Sequence, residues 1–334
     1  MTDPNQKRPR LRHCTFVERN DWPGMMMIVG QNLFELEEEV GPREKFLEVK
    51  RYFDGRHSIA EIGRITGVAP SDIAAIVATF EEQGLMQERT PLERIPITEY
   101  VKRIRDSCVM WSRQIGYHRL FGMLERGEAR KEIFVGLILE TYHYVKSAAR
   151  HISTALAHCN DARLEPILSS YHAAEHDHHL LILQSVEQLG ICAEWAQSAH
   201  PIIGTLSLIN MLCEIARRDT LAYLTCTALF EARREDFEQA RHSMERICAS
   251  YGFPVQAVQP LIEHMRMDVQ AGHSSLLEEA LSHREFITAA DAHYAVNCVH
   301  DLKHAFDQFH DQVIQYYGDI SNYIPRLKVD YFSL

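Results

Sequence analysis

From Ile97 to Tyr317 apolar positions recur at a 3.6-residue period, segment after segment, with no stretch that alternates as a strand does. The spans 97–126, 128–157, 162–189, 202–231, 234–251, 255–285 and 288–317 read as seven helices, and so as an all-α bundle. The first ninety residues differ. His13–Val17, Met26–Val29 and Leu33–Leu36 read as extended, with a turn at Trp22-Pro23-Gly24. Helical patterns follow at 45–52, 59–66 and 70–84, separated by Asp54-Gly55 and by Gly67-Val68-Ala69-Pro70. Two strands and three short helices make a small winged-helix-like α+β module. Residues 1–12 are expected to be a flexible tail, 13–92 the module, 93–96 a linker marked by Pro91 and Pro96, and 97–334 the bundle.

Composition narrows the class. With 46% hydrophobic residues in 334, the chain is long enough to bury two cores. A net charge of −11 disfavours a nucleic-acid surface, despite the basic run Lys7–Arg12. No run of 18 apolar residues spans a membrane, and Met25–Val29 is too short and too late for a signal sequence, so a cytoplasmic location is expected. The eight cysteines include no C-x-x-C pair and fall mostly in apolar helical patterns, so they read as buried, reduced thiols. A nucleophilic Cys226 has nothing nearby to lower its pKa.

Candidate chemistry gathers in Tyr171-His172-Ala173-Ala174-Glu175-His176-Asp177-His178-His179. Glu175 and His178 are three apart, on one face of a helix, and carboxylate with imidazole suits iron, manganese or zinc. Spacing alone is weak: the chain holds five acid-x-x-His matches, where composition gives roughly three by chance. Partners on other helices decide the matter. Glu231 ends the fourth long helix, and His264 and Asp268 lie four apart on the sixth. The bland reading of Tyr142, His143 and Tyr144 is a pocket wall or hydrogen-bonded core. His300, His304 and Asp307 share a face of the last helix and form a rival platform, although a packing or interface helix is the better reading.

Two resemblances sharpen this. Phe53-Asp54-Gly55-Arg56-His57-Ser58-Ile59-Ala60-Glu61-Ile62, with Val68, Asp72-Ile73, Val77, Phe80 and Gly84-Leu85-Met86, resembles the PqqD-like family over residues 13–92. That resemblance implies a recognition domain for a ribosomally made precursor peptide, whose leader adds as a strand to the sheet edge within 13–37 beside helix 70–84. Residues 97 to about 320 resemble the haem-oxygenase-like di-iron oxygenases, related in fold to the PqqC and TenA proteins. The resemblance implies a mainly α, seven-helix haem-oxygenase-like bundle with Glu175, His178, Glu231, His264 and Asp268 as metal ligands.

The family's last histidine has no counterpart three residues after Asp268, where Ala271 stands. His273 is the nearest substitute and lies about 140° round a regular helix, so it serves only if the helix opens near Gly272, as through a π-bulge. Glu140 is a further candidate ligand from the preceding helix, with His143 a weaker one. The implied cofactors are two Fe2+, O2 and an external reductant, with no catalytic residues beyond the ligands. The implied function is oxidation, or cleavage at one residue, of a captured precursor peptide. The expected partner is the peptide's leader, with no nucleic acid, no membrane, and homodimer formation left open. The alternatives are oxidation of a free amino acid or other small molecule, and a non-catalytic peptide-binding scaffold.

Overall fold

The computed structural model describes residues 4–18, 25–29, 32–36, 42–87, 93–231 and 233–329, which fall into two compact units, 1–92 and 93–334. In the first, strands β1 (Thr15–Glu18), β2 (Met25–Val29) and β3 (Asn32–Leu36) form an antiparallel sheet in the order β1-β2-β3. Phe16 faces Met27, which faces Phe34. The sheet has three strands rather than two, and β1 and β3 are both edges. The expected turn at Trp22–Gly24 lies outside the described residues.

Alternation on β2 buries Met25, Met27 and Val29 against Phe46, Phe80 and Leu85. Helices α1 (Arg43–Lys50), α2 (Ile59–Thr66) and α3 (Pro70–Glu82) supply the other side. Helix α2 is fixed at both ends: Ser58 and Glu61 form a reciprocal capping box, and Gly67 closes the last turn at φ +70°. Residues 4–12 are not a free tail. The Lys7, Pro9 and Arg10 carbonyls accept from Ile59, Gly55 and Gln87, and the Leu11 and Arg12 N–H groups donate to Phe53 and Leu85. With those backbone groups paired, the segment is held on the unit.

The second unit opens with a strand where a linker was expected. Arg94–Pro96 (β4) pairs antiparallel with Phe286–Thr288 (β5), Ile95 facing the buried Ile287. Three residues are too few for a strand pattern to show in sequence.

The seven long spans are present, five of them broken into shorter helices, two of these at a side-chain cap (His118 and Asp219) and one at the left-handed Gly272. Span 97–126 becomes α4 (Ile97–Gly116) and α5 (Arg119–Glu125), where the His118 ring accepts from Leu120 N–H. Span 128–157 becomes α6 (Lys131–Lys146) and α7 (Ala148–Ala157), and 162–189 becomes α8 (Glu165–Glu175) and α9 (His179–Gln188). A short α10 (Ala193–Ser198) precedes α11 (Ile203–Arg218) and α12 (Thr220–Phe230), which part at Asp219, whose carboxylate caps Ala222 N–H at 2.7 Å. Then come α13 (Arg234–Tyr251), α14 (Gln259–Ala271), α15 (Leu276–Leu281) and the unbroken α16 (Ala289–Gly318).

Helix α12 is the axis of the bundle. Every residue from Leu221 to Leu229 is buried, because the segment is apolar or small all round. Its C-terminal end therefore delivers the next residue, Glu231, into the protein interior.

Candidate metal centre

Four chain segments converge at that end of α12. Glu175 is the last residue of α8, and His178 sits in the irregular turn before α9. Glu231 follows α12 directly, with extended backbone. His264 and Asp268 are one turn apart on α14. His273 lies just beyond α14, in a single 3-10 turn.

The chain turns His273 inward by ending the helix. No π-bulge is needed: Gly272 adopts φ +71°, ψ +26°, a left-handed conformation open to glycine, and this terminates α14 at Ala271. The 140° offset of a continued helix does not apply, and His273 Nδ1 comes within 2.9 Å of Glu175 Oε1, 3.6 Å of Glu231 Oε2 and 3.9 Å of Asp268 Oδ1.

These six side chains form two overlapping quartets. Glu175, His178, His264 and Asp268 offer ligand atoms all within 4.8 Å of one another, and so do Glu175, Glu231, Asp268 and His273. Glu175 and Asp268 belong to both. His178 Nδ1 stands 3.2 Å from Glu175 Oε1 and 3.2 Å from Asp268 Oδ1, and His264 Nδ1 is 3.3 Å from Asp268 Oδ2. Despite these short approaches, Glu175 Oε1, His178 Nδ1, Asp268 Oδ1 and His273 Nδ1 are buried without a partner in hydrogen-bond alignment. Buried polar atoms left unpaired cost about 1–3 kcal/mol each. Here they aim at a common volume rather than at one another, as ligands of a cation do. The mixed oxygen and imidazole donors fit iron, manganese or zinc, and two shared carboxylates are what a pair of ions requires.

The electrostatics agree. Asp268 and Glu175 hold the His178 imidazole up at about 10 against the effect of burial. Burial opposes the charging of His273, yet Glu175 and Glu231 lift it to about 10 as well. Burial would raise Glu175, but His178 and His273 bring it down to about 2. Glu231 goes the other way: burial, with Asp268 and Glu175 close by, pushes it to about 7 despite His273. Without a cation, two protons on imidazoles balance the buried carboxylates.

Other candidates fall elsewhere. Glu140 is buried on α6 but is already satisfied: Tyr317 Oη and Thr205 Oγ1 donate to it, each at 2.5 Å, and Ile202 N–H at 3.2 Å. His143, one turn on, joins neither quartet, and burial keeps its ring neutral by lowering its pKa to about 4. Of the five acid-x-x-His matches only Glu175/His178 enters a ligand group, whereas Asp54/His57 is an exposed pair at 3.1 Å. On α16 the His304 and His300 Nε2 atoms lie 3.3 Å apart, Asp307 pairs with Lys303 at 2.5 Å, and no ligand group forms there among the described residues. Cys226 is buried, and burial raises its thiol pKa, which removes it as a nucleophile. Cys192, unlike the buried cysteines, is exposed.

One contact went unread in the sequence. Tyr171, fully buried on α8, donates its hydroxyl to Glu231 Oε1 and sets its ring 5.0 Å from that of His273. The signal was available: Tyr171 is four residues before Glu175, on the same helix face.

Residues 105–232 match the TENA/THI-4/PQQC family model, a stretch that takes in Glu175, His178 and Glu231 and ends before α14. No curated protein matches the chain. Among solved structures, a domain of unknown function with a haem oxygenase-like fold from Shewanella denitrificans superposes with a TM-score of 0.57 at 20% identity, covering 69% of this chain and 98% of that one. A TenA homologue from Pseudomonas syringae pv. tomato gives 0.50 at 12% identity, covering 69% and 99%. The bundle thus has the haem-oxygenase-like fold that the sequence led us to expect. No helix among the described residues is long and apolar enough to cross a membrane.

Proposed function

We propose that the protein is a non-haem di-iron oxidase or oxygenase that modifies a ribosomally made peptide held by its first unit. The reading rests above all on the two quartets that share Glu175 and Asp268. A pair of ferrous ions, when bound, supplies the electrons that activate O2 for attack on a C–H, C–C or C–N bond. Glu175 and Asp268, common to both quartets, would help to hold an ion in each. His178 and His264 complete one, and Glu231 and His273 the other. The Tyr171 hydroxyl fixes the orientation of Glu231. Burial of five of the six ligands, with His264 partly buried, keeps bulk water from most of the donors.

The first unit supports the peptide half of the reading. Its three-stranded sheet has edge strands at β1 and β3, both within residues 13–37, and α3 (Pro70–Glu82) falls where the sequence pattern gave a helix at 70–84. An edge strand offers unpaired backbone groups to an added strand. Tethering the leader there raises the effective concentration of the peptide core at the bundle to the millimolar range typical of short linkers.

The test is iron loading followed by turnover. The full chain, reconstituted with Fe2+ without air, should hold two irons, and Glu175→Ala, which removes a ligand from both quartets, should hold close to none. Given O2, a reductant and a precursor-like peptide encoded by a neighbouring reading frame, the loaded chain should change the peptide's mass. Wild-type protein that retains no iron, or a Glu175→Ala variant that retains two, overturns the metal assignment. A loaded protein that consumes O2 and leaves every such peptide intact overturns the peptide half.

A further inference from the structure

Helix α16 carries a pair of imidazoles that the buried centre does not use. His300 and His304 are one turn apart on it, and their Nε2 atoms stand 3.3 Å from each other. Two metal–nitrogen bonds of about 2.0–2.1 Å at a tetrahedral angle set their nitrogens about 3.3–3.4 Å apart. The pair is already spaced as a chelate.

A hydrogen bond between the two rings accounts for the geometry less well. An end-to-end N–H···N contact at this distance would put the ring centroids roughly 5.6 Å apart, whereas they lie 4.6 Å apart with the ring planes at 86°. The nitrogens meet at an angle instead. The far side of His304 is served as well: Asp307 Oδ2 lies 3.6 Å from its Nδ1, and a carboxylate there draws the ring proton to Nδ1 and leaves Nε2 its lone pair. Metal-binding histidines are commonly held in this way.

The surroundings admit an ion. The His304 side chain is 54% exposed, and with Asp301 it lines a groove of about 520 Å³ between α11 and α16, whose walls also include Ser207, Gln308 and Asp311. Carboxylates along one groove raise the local concentration of cations.

We propose that His300 and His304 form a second metal site, for a divalent ion late in the first transition series (Zn2+, Ni2+ or Cu2+), with Asp307 positioning His304. The site shares no residue with the six buried ligands and does not depend on them. No third His, Cys, Asp or Glu completes a ligand group with the pair among the described residues, so the protein supplies two donors, and water or a ligand lying in the groove takes the remaining positions. Imidazole binds these ions more tightly than Fe2+, which comes earlier in the affinity order, so the pair discriminates against the metal proposed for the buried centre.

Copper is the probe, because the His300 ring lies 5.4 Å from that of the buried Trp111 and bound Cu2+ quenches a nearby indole. Full-length wild type, His304→Ala, Asp307→Asn and Glu175→Ala are titrated with copper sulfate while tryptophan emission is read, and bound copper is counted by equilibrium dialysis. Wild type and Glu175→Ala should be quenched alike, with half-saturation at about micromolar copper. His304→Ala should melt as wild type does, since the side chain is exposed, hold one copper fewer per chain, and need at least about tenfold more copper for any quenching. Asp307→Asn should keep the stoichiometry and bind about tenfold more weakly. An unchanged copper count and affinity in folded His304→Ala overturns the proposal, as does half-saturation near millimolar copper in wild type. Quenching that disappears in Glu175→Ala overturns it too, because the copper would then sit at the buried centre. Wild-type affinity in Asp307→Asn removes Asp307 from the site.

Discussion

His273 Nδ1 stands 2.9 Å from Glu175 Oε1, a contact between α8 and a residue that a continuous α14 would turn away. The junction depends on Gly272 at φ +71°, where a β-branched side chain is a steric outlier. Gly272→Val should pull His273 from its quartet and cost about 1–2 kcal/mol in strain. The other quartet, Glu175, His178, His264 and Asp268, stays intact, so metal content should fall from two ions per chain to one, as it should in His273→Ala. Elemental analysis after dialysis reads the difference. Two ions retained in Gly272→Val would mean that the left-handed turn is not what places His273.

Glu140 makes the opposite case, a buried carboxylate with no ligand role. It accepts from Tyr317, Thr205 and the Ile202 N–H, and Glu140→Ala strands all three donors. The loss should reach about 3 kcal/mol or more in denaturant unfolding, with metal content unchanged. A loss of iron in Glu140→Ala under folding conditions would restore it to the ligand set.

One turn before Glu140, Gly136 carries the same network from another side. A Cβ at Gly136 would fall onto the Tyr317 ring, and that ring is fully buried. Gly136→Ala should therefore overpack the α6–α16 contact, displace the Tyr317 hydroxyl from Glu140 and destabilise the bundle by at least about 1–3 kcal/mol. Thermal melts of Gly136→Ala and Tyr317→Phe, singly and combined, should be non-additive, because both act on one contact. Additive losses would show that the two residues act independently.

Much of this centre was legible in the chain because its ligands sit at helical spacings. His264/Asp268 are paired by the 3.6-residue period on α14 and Glu231 by its place at the end of an apolar helix, whereas Glu175 and His178, expected on one helix face, come together although α8 ends at Glu175 and His178 lies in the turn that follows. What periodicity hides is where a helix stops. The breaks at Ser147 and Asp219 lie inside continuing helical patterns, where local side-chain hydrogen bonds accompany the interruption, and the one between Glu175 and His179 falls in a polar run without a side-chain cap. His273 was doubtful for that reason: a regular helix was extended through a glycine that ends it. The role of Glu140 was obscure for another, since its partners Tyr317 and Thr205 lie far away in sequence and no spacing announces them. The pinned segment 7–12 was misread because its partners are backbone groups, which leave no mark in side-chain pattern.

The first unit offers a test independent of metal. Ser58 Oγ accepts from Glu61 N–H at 3.3 Å while Glu61 Oε2 accepts from Ser58 N–H at 2.7 Å, closing the start of α2. Ser58 is also buried, so Ser58→Ala removes an acceptor that water does not readily replace. The expected cost is about 1 kcal/mol, and iron stoichiometry should not change. Chemical unfolding, alongside iron analysis of the same preparation, checks both halves. A loss of iron would show that the two units do not act independently.

Protonation of the centre gives the sharpest dependence on conditions. In the metal-free protein His178 and His273 are held near 10, well above the ordinary histidine value of 6.5. A group whose folded pKa is raised stabilises the fold fully below its unfolded pKa, and that contribution is lost as pH climbs through the folded value. The metal-free protein should therefore lose stability between about pH 6.5 and 10. Glu175, brought down to about 2 from an ordinary 4.5, governs the acid side: its contribution is present above 4.5 and disappears as pH falls toward 2. Metal reverses the alkaline trend, because ligation takes neutral imidazole and displaces the two protons. Iron or zinc should bind more tightly as pH rises toward 10, release protons on binding near pH 8, and flatten the alkaline loss of melting temperature. Melting curves from pH 6 to 10 with and without metal, and calorimetric titrations in buffers of different ionisation enthalpy, measure both effects. A metal-free melting temperature that stays level across that range, or metal binding without proton release, would show that the carboxylates do not hold these imidazoles charged.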